Sequence, residues 1–253
     1  PGRMIETQEK ALRDAIQDGD YLLPSAGRGR TVAANVPVVL GCSHNCSFCI
    51  IPARRGGERS RPPEEIEREV TKLIGQGVKE VALLGQIVDR YGMDMGWEVH
   101  LGGLLRRIAD LPGLERLRFL TSHPSWMTDA IIDAVAEHPK ICPQLEVPIQ
   151  AGDDEVLARM RRGYTVEEYV RICEKIRARI PDAAIHTDVI VGFPGETAAQ
   201  FDGTYRVLEE LRLDKAHIAK YSERPRTIAA AKYADDVPAD EKERRRKALD
   251  QLQ

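Results

Sequence analysis

The chain has 253 residues, 42% hydrophobic and 30% charged, which suits one globular unit with a large buried core and excludes a small disulfide-stapled fold. Its 37 basic and 40 acidic residues leave a net charge of −3, so a polyanionic partner would have to be met by a local basic patch. No apolar run approaches the roughly 18–20 residues that span a bilayer, and Pro1-Gly2-Arg3-Met4 lacks a signal-peptide core, which makes the cytoplasm the expected compartment and a membrane an unexpected partner.

Ile5, Ala11, Leu12, Ala15 and Ile16 fall at helical spacing and Gly19-Asp20 stops the run, while residues 24–30 have linker composition. These features predict a short N-terminal helix and linker over residues 1–30. Strand-length, β-branched runs then recur at residues 36–40, 80–84, 116–121, 145–149, 184–191 and 215–221. Between them the period becomes helical, at 62–73, 101–111, 128–137, 166–180 and 197–211, with a last helix from about Ala239. Thr165, with Glu168 three residues on, reads as a capping box. The run 242–247, interleaved with Glu241 and Glu243, reads as a solvated helix face.

Strands alternating with helices mean βαβ units and a parallel sheet. No glycine-rich dinucleotide loop follows the first strand, so a partial barrel over residues 31–235 fits better than an open doubly wound sheet, with residues 236–253 as a C-terminal helix. Polar residues stand just after the apolar runs, at Gln86, Ser122-His123, Gln150, Glu196 and Ser222, where parallel barrels collect functional groups.

Three of the five cysteines, Cys42, Cys46 and Cys49, share one loop with the spacing C-x3-C-x2-C. Three thiolates can hold three corners of an iron–sulfur cube and leave the fourth iron open to a substrate or cofactor. A closed zinc site needs four ligands, and neither His44 nor the distant Cys142 and Cys173 supply a spaced partner pair. The last two, alone in apolar surroundings, read as buried small hydrophobes. Arg54, Arg55, Arg59 and Arg61 follow the loop with only Glu58 opposing them, which suits a phosphate-contacting rim. A non-catalytic α/β domain holding a metal is the alternative these residues leave open.

The cysteine loop, with Phe48 just before its last cysteine, resembles the signature of radical S-adenosylmethionine (SAM) enzymes. Leu84-Gly85-Gln86, Thr121-Ser122-His123-Pro124, Val147-Pro148-Ile149-Gln150, Met160-Arg161-Arg162-Gly163-Tyr164-Thr165 and the segment from Thr187 through Gly192-Phe193-Pro194-Gly195-Glu196-Thr197 follow in order. Together, from about residue 30 onward, they resemble the radical SAM methylthiotransferase family. One segment departs: Glu223 and Arg226 stand where that family's pattern calls for proline and glycine.

The resemblance implies a partial (β/α)6 TIM-type barrel with a [4Fe–4S] cluster on Cys42, Cys46 and Cys49 and SAM chelating the open iron. It implies that Phe48 packs beside the adenine, and that Gln86, Ser122, Gln150, Arg162 and Asp188 face the barrel mouth to hold the ribose, amine or carboxylate. Ile190-Val191-Gly192 would wall the base. The family has a branch that methylthiolates a modified adenosine in tRNA and another that modifies an aspartate of a ribosomal protein. Gln150-Ala151-Gly152-Asp153-Asp154 and Arg161-Arg162-Gly163-Tyr164-Thr165 look more like the tRNA branch, with the anticodon arm as partner and a flavodoxin or ferredoxin as electron donor. The family also carries an N-terminal domain with a second [4Fe–4S] cluster and a C-terminal RNA-binding domain, both expected to lie outside this chain, which alone is then expected to cleave SAM without transferring sulfur.

Overall fold

The computed structural model describes residues 31–253. The helix and linker expected over residues 1–30 lie outside the described residues. The first β run is cut in two. β1 (Ala33–Pro37) is an edge strand, and β2 (Val39–Leu40) leaves it to pair antiparallel with β3 (Arg59–Ser60). Val38 N still donates to Leu84 O at 2.8 Å, so the donor that Pro37 lacks falls on the unpaired edge.

β1 continues through β4 (Glu80–Leu84) to β5 (Arg116–Leu120) as one parallel sheet, and β6 (Gln144–Glu146), β7 (Ala184–Val191) and β8 (Lys215–Lys220) form a second. A parallel bridge between Leu117 and Ile141 joins the two. The strands therefore follow chain order around an open, partial barrel, as the alternation of strand and helix patterns requires.

Side chains alternate across these strands. Val36, Val81, Leu83, Leu117, Phe119, Leu145, Ile185, Val189 and Val191 are buried in a single hydrophobic core. The helices α1 (Ile51–Arg55), α2 (Pro63–Gly75), α3 (Leu101–Ala109), α4 (Asp129–Glu137), α5 (Asp154–Met160), α6 (Val166–Arg179) and α7 (Ala198–Leu211) surround the strands in sequence. All but α1 contribute buried apolar residues to that core, such as Ile66, Leu104, Ile131, Met160, Tyr169 and Phe201. The opposite strand face is polar near the strand starts. Glu80 accepts from Arg116 Nε (2.6 Å) and Arg118 Nε (2.9 Å), Arg118 also bonds Gln144, and Gln144 lies 3.3 Å from His186 Nδ1.

The Thr165–Glu168 capping box is present, with Thr165 N donating to the Glu168 carboxylate at 2.8 Å. Thr197 and Gln200 form a second one. α1, α5 and α8 (Ile228–Lys232) are helices of 5–7 residues with too few turns to show a period in sequence. Cys173 is fully buried, but Cys142 is only half-buried, at the join between the two sheets.

The last helix, α9 (Ala239–Leu252), corrects the reading of 242–247 as a solvated face. It packs on β8, β7 and α7. Lys242 and Arg245 are buried on the same face as Leu249. Lys242 reaches Asp235 at 2.5 Å, and Arg245 Nη1 bonds Glu196 Oε2 at 2.7 Å. Long basic side chains with apolar stems can occupy such a face when their heads are paired.

Candidate metal centre and its surroundings

The cysteine loop leaves β2 at Gly41, whose φ of 68° lies in the left-handed region. A Cβ there would lie 2.1 Å from Gly57 O, so no other residue fits this turn. Cys42 N donates to Gly56 O (3.0 Å) and Cys49 N to Cys46 O (3.1 Å). Between them Ser47 is fully buried. Its N–H reaches Met160 O (2.9 Å), its hydroxyl reaches Arg159 O (2.8 Å), and its carbonyl accepts from Ala229 N (2.7 Å). The loop is thus fastened to the end of α5 and the start of α8.

All three thiols are free of disulfides. Burial pushes Cys42 up to about 11, opposed by a backbone N–H bond and reinforced by Glu58 and the other two thiols. Cys49 is raised by burial as well. The Cys42 and Cys49 thiolates are therefore disfavoured until cations neutralise them. Among the described residues no three His, Cys, Asp or Glu side chains converge as ligands of one metal ion. A cube spreads its ligands instead, one thiolate to each iron.

Arg162 stands over this loop. Arg161, at φ 58°, ends α5 in a left-handed cap, and the next side chain turns inward. Arg162 Nη1 donates to Cys46 Sγ at 3.1 Å, Nε to Tyr164 Oη at 3.0 Å and Nη2 to Pro148 O at 3.4 Å. Tyr164 Oη in turn donates toward Ile149 O (2.7 Å) and Pro148 O (2.9 Å). His44 Nδ1 lies 3.1 Å from the same Cys46 sulfur.

A second wall comes from the ends of β4 and β5. Asp89 Oδ2 accepts from His123 N at 2.9 Å, and His123 Nδ1 accepts from Ser125 N at 3.2 Å. The His123 ring lies 4.7 Å from His44, 4.6 Å from Trp126 and 5.4 Å from Tyr164, centroid to centroid. Arg90 covers Trp126 at 4.4 Å and pairs with Glu58 at 2.8 Å. Asp89 Oδ1, Ser122 Oγ and His123 Nε2 are buried without a hydrogen-bond partner among the described residues. Three such atoms beside one loop are costly for folding and mark a place where polar groups are held for something other than stability. Burial lifts Asp89 to about 7 and lowers His123 to about 2 and His44 to about 4, with Arg162 and Arg90 also acting against a charged imidazole.

The third wall is the β6–β7 pair. Gln150 bridges to Val189, its N–H donating to Asp188 O (2.8 Å) and its carbonyl accepting from Ile190 N (2.9 Å). Its φ of 72° is a strained value for a non-glycine residue. Asp188 lies on the exposed strand face. Partial burial and then Glu146 raise its pKa, against the pull of His217. Gln86 and Phe48 are half-buried, Phe48 against the core.

Two expected site residues are drawn into packing contacts. The Arg61 guanidinium is turned inward to Glu65 and Glu69 (2.7 Å each) and Pro37 O (2.7 Å), so it leaves the exposed rim that Arg54, Arg55 and Arg59 keep. At Gly192 the missing Cβ serves packing. With a φ of 69°, the residue makes room for the Lys242 stem, which a Cβ would meet at 2.3 Å. Asp89, Arg90, Tyr164 and Trp126 join the site without an individual signal in sequence. Ser122-His123 is marked in sequence by its place after a strand, whereas His44 reads there only as a loop residue that supplies no zinc ligand. Arg226, where the resemblance calls for glycine, has a left-handed φ of 73° that glycine would adopt without strain.

The comparisons agree with this architecture. Among solved structures, a radical SAM methyltransferase (TsrM) from Kitasatospora setae with cobalamin and a [4Fe-4S] cluster bound superposes with TM-score 0.64 at 21% identity, covering 78% of this chain and 38% of that one. Coproporphyrinogen III oxidase (HemN) from Escherichia coli gives 0.61 at 19% identity, covering 96% and 56%. These likenesses concern the fold. In sequence, the tRNA-2-methylthio-N(6)-dimethylallyladenosine synthase of Roseiflexus sp. (strain RS-1) is 54% identical over 225 residues, 88% of this chain and 47% of that one. The protein of the same name from Herpetosiphon aurantiacus is 49% identical over 256 residues, 100% of this chain and 56% of that one. The chain spans about half the length of these curated relatives. Residues 36–208, from β1 into α7 and including every cysteine of the loop, match the Radical SAM superfamily, and the chain belongs to it.

Proposed function

We propose that this chain is the radical domain of a tRNA methylthiotransferase that replaces a hydrogen of N6-dimethylallyladenosine by a methylthio group. The observation that carries the reading is 47–54% identity, over 88–100% of the chain, to relatives that share the name tRNA-2-methylthio-N(6)-dimethylallyladenosine synthase.

The donor set fits a [4Fe–4S] cluster, because Cys42, Cys46 and Cys49 give one thiolate to each of three irons and leave the fourth for SAM. When bound, the cluster and SAM supply one-electron cleavage of a sulfonium C–S bond to a 5′-deoxyadenosyl radical. This chain's own residues hold and shield that chemistry. The Gly41 turn and the Ser47 anchors fix the three sulfurs, and Arg162 and His44 hold Cys46. Asp89, Ser122 and His123 offer unpartnered polar atoms beside the loop. Gln86, Gln150 and Asp188 at the strand ends, with Phe48, are the remaining candidates for the cofactor's polar groups and adenine. Arg54, Arg55 and Arg59 would meet phosphates of the anticodon arm, and a flavodoxin or ferredoxin would bring the electron. Residues 1–30 would lead into the barrel at 31–235, and α9 within 236–253 would lead out toward an RNA-binding domain. The cytoplasm is the compartment that fits a tRNA substrate.

The test is anaerobic reconstitution with iron and sulfide of the protein carrying this chain, followed by SAM, reductant and tRNA bearing dimethylallyladenosine. The expected products are 5′-deoxyadenosine and the 2-methylthio nucleoside. Methylthio mass on a ribosomal protein instead of tRNA would overturn the substrate assignment, and colourless zinc-loaded protein would overturn the chemistry.

A further inference from the structure

We propose that Arg162 is a positioning residue that sets the reduction potential of the cluster held by Cys46. The inference rests on the reading that the three cysteines carry a cluster.

The argument begins with three buried arginines. Arg61 is paired with Glu65 and Glu69, and Arg245 with Glu196 and Glu241. Each guanidinium is compensated by two carboxylates. Arg162 is equally buried, at 5% exposure, yet among the described residues it makes no ion pair with any carboxylate. Its donors go to a tyrosine oxygen, a backbone carbonyl and the Cys46 sulfur. A buried, uncompensated cation is strongly unfavourable, and arginine does not escape by losing its proton. Of its three partners, only the sulfur would carry a full negative charge once it ligates the cluster. The missing counter-charge is therefore that of the thiolate and the cluster it binds.

The geometry also keeps the guanidinium there. Nε is braced by Tyr164, itself tied to the Pro148 and Ile149 carbonyls, and Nη2 leans on Pro148 O. This leaves Nη1 on the sulfur. Hydrogen bonds to cluster sulfurs and the charge around them are what tune such potentials. Reduction adds one electron from a one-electron donor, [4Fe–4S]2+ + e− → [4Fe–4S]+, with no bond broken and no proton moved. A fixed positive charge against one ligand sulfur stabilises the product more than the reactant, so Arg162 raises the potential. His44 Nδ1 lies 3.1 Å from the same sulfur.

The chain is reconstituted anaerobically as parent, Arg162→Gln and Arg162→Lys, iron content is matched, and each is titrated spectroelectrochemically without SAM. The expected result is a more negative midpoint potential for Arg162→Gln, with Arg162→Lys, which keeps the charge, closer to the parent. Equal potentials for parent and Arg162→Gln at equal iron content overturn the inference and leave the cluster reading intact. Should Arg162→Gln fail to load, the parent labelled with 15N-arginine decides. Its dithionite-reduced cluster should show 15N hyperfine coupling from a guanidinium, and absence of that coupling overturns the proposal. A parent that takes up no iron overturns both readings.

Discussion

Asp89 shows at a single residue what an unpartnered buried polar group beside the loop costs in stability. Its side chain is 1% exposed, one oxygen is held by His123 N and the other has no partner. Burial raises its pKa from 3.8 to about 7, against the pull of the His123 N–H, its own backbone, Arg90 and Arg162. The folded state therefore holds the proton more tightly than the unfolded chain. Between these two values stability falls as pH rises, and the whole cost is present above about pH 7. At about 1.4 kcal/mol per unit the cost is at most about 4 kcal/mol. Asp89→Asn, which keeps an acceptor for His123 N, should be more stable than the parent by about 2–4 kcal/mol near pH 8, with the gap closing toward pH 4. Urea titrations at the two pH values read this directly, and a gap independent of pH would mean that the carboxylate is ionised in the fold at no cost. His123 carries the opposite sign, since a pKa lowered to about 2 costs stability as pH falls below 6.5. That contribution is common to both proteins and cancels in the difference.

At the scale of elements, α9 is the part whose role was least visible in its composition. Its basic run looks like a surface helix, but residues 242, 245 and 249 recur at the spacing of one helical face. Read by periodicity instead of charge, the same residues form a buried stripe, and the structure follows the periodicity. What sequence does not supply is the partner. Glu196 lies in the turn between β7 and α7, where its carboxylate accepts from Gly192 N at 2.5 Å and from Arg245 at 2.7 Å. Both side chains are almost fully buried, at 1% and 5% exposure. Arg245→Ala strands that carboxylate and should cost about 3–5 kcal/mol, whereas the pair Glu196→Gln with Arg245→Met should cost clearly less, because no charge is left behind. Thermal or urea unfolding of the three proteins measures this. Equal losses for the single and double variants would show that the helix is held by its apolar contacts alone.

Over the whole molecule, backbone periodicity and cysteine spacing carried the barrel and its loop, because both are local properties of the chain. Five of the six strand runs, five of the intervening helices and the C-x3-C-x2-C loop stand where sequence puts them, within a few residues at their ends, and the first run is split between β1 and β2. Side-chain direction is not local. Arg61 is one residue past Ser60 in a run of exposed arginines, and only the packing of α2 beneath it, with Glu65 and Glu69 at i+4 and i+8, draws it inward. Gly192 likewise makes room for a helix fifty residues away. The inward turn of Arg61 has a measurable consequence for the proposed RNA binding. A chain of net charge −3 has no bulk attraction for a polyanion. Under the proposed function the contact would come from Arg54, Arg55 and Arg59, which are exposed and follow the cysteine loop in sequence. Three phosphate contacts to a single-stranded loop predict a log–log salt slope of about −2. Fluorescence anisotropy of an anticodon stem-loop should give that slope, and Arg54→Gln should make it shallower by about 0.7. Arg61→Gln leaves the slope unchanged and instead lowers stability, since it strands the buried Glu69. A slope steeper than about −5 would require more phosphate contacts than this rim has arginines, and would move the RNA interface to another face of the barrel.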